Sequence, residues 1–331
     1  MYDVFSLALP FFGLIFLGYL AGKIWRKDEE GLGWLNIFVI NFALPALFFQ
    51  LISRTPIDQL ANWRFVFATS LATYSTFALA FSYAALRNRG NLAEATIQGL
   101  VGGYGNVGYM GPPLALVAFG PEAAVPAALI FCFDVALFFT LAPLMMAFVG
   151  TTGQSVGQTL MSIPAKVLLH PFIIATLLGV AGAATQFEPP AVIDQLLTFL
   201  RSSAAPCALF ALGVTVALRP LERVDGELPI LIIIKLLVHP VIAYLLLSWI
   251  GGFDPVWVHT GVLMACLPPA ATIYMLATQY DTYVLRGSSA ILLGTAFSVF
   301  TVTLVLYLVT GDLLPDDPFV FIEGYAPWNS R

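Results

Sequence analysis

The chain has 331 residues, of which 59% are hydrophobic and only 10% charged, with a formal net charge of -5 and a mean hydropathy of +0.89. A soluble domain carries about 25% charged residues, so this composition excludes an ordinary water-soluble globule, and the lack of any basic run excludes a nucleic-acid binder. The apolar stretches are long and continuous rather than alternating, which excludes a transmembrane β-barrel.

Ten stretches of helix-spanning length follow one another at 5–22, 33–53, 64–86, 94–118, 122–149, 161–185, 191–217, 226–250, 257–279 and 287–310. Each approaches the ~20 residues that an apolar bilayer core requires, so the expected fold is an all-α integral membrane protein with ten transmembrane helices. Asp3 stands where a signal peptide would carry a basic residue, so 5–22 reads as a retained first span. Within it, Gly18 and Gly22 are spaced for close helix approach.

The joining segments are short. Lys23, Arg26, Lys27, Arg87, Arg89, Lys166, Arg219, Arg223 and Arg286 fall on one face, against Arg54, Arg64 and Arg331 on the other. Basic residues collect in cytoplasmic loops, which predicts a multi-pass protein with both termini extracytoplasmic. Cys132, Cys207 and Cys266 all lie within spans, without metal-ligand spacing, and read as small apolar packers.

Stretch 94–118 contains Gly102-Gly103-Tyr104-Gly105-Asn106-Val107-Gly108-Tyr109-Met110-Gly111-Pro112-Pro113. Proline removes a backbone donor and clashes with the preceding turn, and glycine is a poor helix former. A regular helix should break there, and stretch 257–279 is interrupted similarly at Leu267-Pro268-Pro269-Ala270-Ala271-Thr272. An offset of 161 pairs Pro10 with Pro171 and Pro45 with Pro206. An offset of 156 pairs Gly105, Pro112 and Pro113 with Gly261, Pro268 and Pro269. These matches predict two inverted five-helix repeats, at 1–149 and 161–310, with a short linker at 150–160 and an extracytoplasmic tail at 311–331. Breaks at matching places point to a binding site, where half-helix N-termini favour an anion and opposed carbonyls a cation.

The run from Gly105 to Leu114 contains Asn106-Val107-Gly108-Tyr109-Met110-Gly111-Pro112-Pro113, and it is supported by Pro268-Pro269-Ala270 with Ala277-Thr278-Gln279-Tyr280 and by Asn41-Phe42-Ala43-Leu44-Pro45-Ala46. At these residues the chain resembles the auxin efflux carrier (PIN-like) family, which includes bacterial carriers of small organic acids. The resemblance implies a sodium/bile-acid symporter-like fold with crossed broken helices 4 and 9. It further implies a moving core of spans 3–5 and 8–10, and a scaffold of spans 1, 2, 6 and 7 forming a homodimer. The motion implied is elevator-type alternating access. Asn106, Pro113 and Pro269 take the crossover positions. The short linker favours a bacterial cytoplasmic-membrane carrier over an auxin-specific one, and Val107, where family members often carry Thr, removes one hydroxyl contact.

The expected substrate-binding residues are Gly105, Asn106, Tyr109, Pro113, Pro269 and Ala270. Asp134 lies mid-span in stretch 122–149, where an unpaired charge costs several kcal/mol. Together with Lys235 and His239, four apart on one helix face, it is a candidate for coupling to H+ or Na+. Lys235 has three open roles: snorkelling outward, pairing with Asp134, or attracting an anion. His170 and His239 each precede a proline and read as packed or water-bonded. Arg201 reads as an interface anchor or a partner for Asp194. The expected function is secondary active transport of a small organic anion, a mono- or dicarboxylate, with auxin-like acids possible. The alternatives are a sodium-coupled bile-acid-like symporter and an anion channel. No ATP-binding or clustered catalytic motif is present, so an enzyme is not expected, nor is any cofactor, metal or nucleic-acid partner. The expected partners are the substrate anion, the lipid bilayer and a second copy of the chain.

Overall fold

The computed structural model describes residues 2–25, 29–150, 155–218, 224, 226–311, 313, 314 and 318. Part of the expected linker at 150–160 and nearly all of the 311–331 tail lie outside the described residues, as do Arg26, Lys27, Arg219, Arg223 and Arg331. In chain order the main helices are α1 (Tyr2–Trp25), α2 (Gly33–Ile52), α3 (Trp63–Arg87), α4 (Leu92–Gly103), α5 (Gly111–Phe119), α6 (Pro121–Val149) and α7 (Val156–Leu168). They continue as α8 (Pro171–Thr185), α9 (Ala191–Leu218), α10 (Leu228–Ile250), α11 (Pro255–Ala265), α12 (Thr272–Gln279) and α13 (Val284–Thr310).

Six of these are long and apolar enough to cross a membrane: α2, α3, α6, α9, α10 and α13. The pair α7 and α8, bent by 56°, makes a seventh if it is counted as one span. This corrects the expectation of ten transmembrane helices arranged as two inverted five-helix repeats of sodium/bile-acid symporter type. That expectation counted every apolar stretch as a crossing, the two broken ones included. Stretches 94–118 and 257–279, the two expected to be broken, fold as pieces of 12 and 9 residues and of 11 and 8 residues, all short of the ~20 a span needs. The sequence offsets align prolines, and prolines fix kinks rather than crossings.

Local chemistry explains the irregularities. α2 and α10 each contain a π-turn, at Val39–Ala43 and Ile234–Val238. Pro45 and Pro240 follow them closely. Each proline lacks an N–H and pushes against the carbonyl four residues earlier, and a widened turn absorbs that conflict. α1 packs on α9 with glycine on both sides of the contact. A Cβ on Gly18 would stand 2.1 Å from the Phe210 carbonyl oxygen, and one on Gly213 would stand 2.0 Å from that of Ile15. The close approach needs hydrogen at both places, so the Gly18/Gly22 spacing does serve helix contact. The main core gathers α2, α6, α9 and α11 around Phe48, Phe131 and Phe172, whose rings lie within 6.2 Å of one another.

Candidate functional site

α4 starts at the Asn91 cap, whose side chain accepts from Glu94 N, and ends where Gly102 and Gly103 weaken it. Tyr104 is extended, with φ -91° and ψ 114°. Pro112 and Pro113 then sit in the first turn of α5, where a helix has no N–H bond to lose. On the other side, α11 stops at Ala265 and α12 begins only at Thr272, with Pro268 and Pro269 between.

The two interruptions lie side by side. Gly105 and Pro269 form an antiparallel bridge, flanked by Asn106 N donating to Pro268 O at 2.8 Å and Ala270 N donating to Tyr104 O at 3.2 Å. Pro269 occupies the non-hydrogen-bonded position, so its missing N–H leaves no gap in the pairing. Backbone freed from helix is thus satisfied inside the protein, as a membrane setting demands. Gly294 of α13 supports the arrangement, since a Cβ there would meet Pro269 Cδ at 2.5 Å.

A cavity of about 80 Å³ opens against this pair, and its walls include Gly105, Asn106, Tyr109, Ala270, Thr272 and His170. Phenylalanines of α6 and α8 and Ile40 and Leu44 of α2 line its other sides. Asn106 is 2% exposed. Its Oδ1 faces Tyr109 N at 3.4 Å, which fixes the amide orientation and leaves Nδ2 buried without a partner. His170 Nδ1 is likewise buried and unpartnered. Of the expected substrate residues, Gly105, Asn106, Tyr109 and Ala270 line the cavity, whereas Pro113 and Pro269 shape the backbone behind it. A wider cleft of about 500 Å³ shares Tyr109, Ala271 and Thr272 with it, and the Tyr109 hydroxyl donates to Asn36 Oδ1 of α2 at 3.4 Å.

Behind the bridge runs a buried polar chain. Lys235, in the π-turn of α10, is 0% exposed and therefore does not snorkel. Its Nζ donates to Ala265 O at 2.6 Å, at the C-terminus of α11, and contacts His239 Nδ1 at 2.9 Å. A Cβ on Gly105 would stand 3.1 Å from that Nζ, so the lysine abuts both interruptions at once. With an ammonium on Lys235, His239 accepts at Nδ1 and carries its hydrogen on Nε2, which faces Thr73 Oγ1 at 3.5 Å. Thr73 donates to Asp134 Oδ1 at 3.2 Å. Asp134 and His239 are 4% and 3% exposed. The three residues singled out as coupling candidates thus belong to one chain, completed by Thr73. A small void of about 10 Å³ bordered by Asp134, Thr73 and His239 is near the size of one water.

Elsewhere, Asp194 pairs with Arg54 and accepts from Gln50 Nε2 at 2.8 Å, partners that local spacing in the sequence did not suggest. His170 was missed as a cavity residue because nothing near it in sequence carries ligand chemistry; its role depends on the bend between α7 and α8. Thr73, Tyr104 and Thr272 were missed for a similar reason, being common residue types in apolar helices. Among the described residues, no group of three or more His, Cys, Asp or Glu side chains could hold a metal ion.

A family profile described as membrane transport protein matches residues 3–306. The chain is 49% identical over 319 residues to a putative malonate transporter of Rhizobium meliloti, covering 96% of this chain and 100% of that protein. It is 22% identical over 307 residues to the uncharacterized transporter YfdV of Escherichia coli, covering 91% and 96%. Similarity to the probable auxin efflux carrier component 1b of rice is 26% over 152 residues, only 44% of this chain and 27% of that one. The likeness to auxin carriers is therefore partial, and an auxin-specific identity does not follow from it.

Proposed function

We propose, from the premise that this chain belongs to the membrane transport protein family, that it is a secondary transporter moving a small organic anion of the malonate type across the membrane. Family membership makes it a multi-pass transport protein and not an enzyme. The substrate reading draws on the name of the Rhizobium meliloti relative. It rests most directly on one observation: the unpaired Asn106 amide, buried in a small cavity where two helix interruptions meet.

Such a group costs about 1–3 kcal/mol when unsatisfied, and a carboxylate would satisfy it. α12 begins at the cavity wall, so its dipole adds partial positive charge there, and Lys235 lies just behind Gly105. The cavity takes about five to eight waters' worth of ligand at ~10–15 Å³ each. That suits a three-carbon acid and disfavours a bile-acid-sized substrate. The narrow cavity, lined largely by aromatic rings, favours a carrier over an open anion channel.

As part of the same proposal, Asp134, His239 and Lys235 form the path on which a coupling H+ or Na+ acts. The backbone bonds joining the two interruptions let them shift together, in an elevator-type exchange of access. A homodimer through the scaffold helices is carried over from the family resemblance. The test is counterflow of labelled malonate in proteoliposomes holding the purified chain, under imposed Na+ or pH gradients. Saturable exchange that unlabelled malonate inhibits is expected. Flux that never saturates would point to the channel, and no flux of any small carboxylate would end the reading.

A further inference from the structure

Resting on the reading of the small cavity as the substrate site, we propose that His170 is its second anchor, which makes the site selective for a dianion with two carboxylates. The sequence gives His170 no company. The fold places it at the bend between α7 and α8, where Pro171 keeps it out of helical conformation (φ -65°, ψ 127°). This 56° bend puts the residue on the cavity wall.

Its ring is held between Phe131 and Phe139, with centroids 6.3 and 5.8 Å away. Aromatic walls fix the imidazole plane. Nδ1 is buried and has no partner. Unsatisfied buried polar atoms are rare in folded proteins and call for a reason. Here three such atoms, Asn106 Nδ2, His170 Nδ1 and Thr272 Oγ1, belong to residues lining one cavity of about 80 Å³, and the two nitrogens come from different parts of the fold. A monocarboxylate would satisfy one of them, whereas a short dicarboxylate has an acceptor group at each end. His170 is also the cavity residue able to carry a positive charge, for the other walls hold no Lys or Arg. Either as an Nδ1–H tautomer or as an imidazolium it donates to a carboxylate oxygen.

The two anchors come from different parts of the fold, Asn106 from the interruption after α4 and His170 from the α7/α8 bend. Selectivity then depends on the number of carboxylates, with aromatic walls limiting the length between them.

The experiment compares KM for malonate and for its monoamide, malonamate, in proteoliposomes of wild type, His170→Phe, His170→Asn and Asn106→Ala. Wild type is expected to prefer malonate by about tenfold or more. His170→Phe keeps the ring and removes the nitrogens; it should raise the malonate KM at least about tenfold and leave malonamate nearly unchanged. His170→Asn, which restores a donor, should recover part of the difference. Equal loss on both substrates, or an unchanged malonate KM, would overturn the proposal. If His170→Phe is silent while Asn106→Ala loses both substrates, only the second anchor falls. If Asn106→Ala is silent as well, or wild type carries neither acid, the substrate reading of the cavity falls with it.

Discussion

Asn106 donates its backbone N–H to the carbonyl of Pro268 at 2.8 Å, so the residue whose side chain faces the cavity is fixed in place by the other interruption. Main chain and side chain have separate duties there. The backbone ties the two breaks together, and the amide is left for a ligand.

This separation makes Asn106 informative to mutate. Asn106→Ala should keep the backbone bond and raise KM for the transported anion about tenfold or more, the worth of one hydrogen bond to a charged group at about 1.5–3 kcal/mol. Asn106→Asp keeps an acceptor for Tyr109 N and places a carboxylate in the anion's path. If capping were the whole role, Asp would behave like wild type; near-complete loss of counterflow is expected instead.

Lys235 joins Ala265 O and His239 while abutting Gly105. Lys235→Met should lower the apparent melting temperature, since the buried partners left behind cost about 1–3 kcal/mol each, and should reduce transport strongly. Lys235→Arg should fail to restore it, because a planar guanidinium is bulkier than an ammonium and Gly105 leaves no slack. Thermal denaturation in detergent, read beside transport, checks both statements. An arginine variant with wild-type behaviour would refute the packing account.

Asp134 ends the polar chain that starts at Lys235. Asp134→Asn retains an acceptor for Thr73 and removes the charge. Under the coupling role proposed above, gradient-driven accumulation should disappear while counterflow, which needs no net ion movement, persists. Accumulation that survives intact would assign coupling elsewhere.

Gly294 tests the support beneath the bridge. Gly294→Ala would press a methyl on the Pro269 ring, at 2.5 Å before relaxation, and overpacking of this kind costs about 1–3 kcal/mol. A fall in apparent melting temperature with reduced transport is expected. Gly13→Ala is the control: nothing lies within 4 Å of its added Cβ, so stability should hold or rise slightly, as alanine is the better helix former.

The sequence by itself determined the solvent and the stopping points. A chain with 59% hydrophobic and 10% charged residues must live in lipid, and neighbouring glycines and paired prolines interrupt the helix within 102–113 and within 267–272, because the cause is covalent and local. It also marked Asp134, Lys235 and His239, since ionisable groups in apolar stretches are costly enough to need a purpose. Only tertiary structure decided how many stretches cross the membrane as single helices, that Gly105 pairs with Pro269, that Thr73 links His239 to Asp134, and that the α7/α8 bend sets His170 against the cavity. Those relations join residues far apart in the chain. A local rule sees the break in a helix but not the partner that satisfies it, because long-range pairing is fixed by packing and hydrogen bonding between elements rather than by any residue's own propensity.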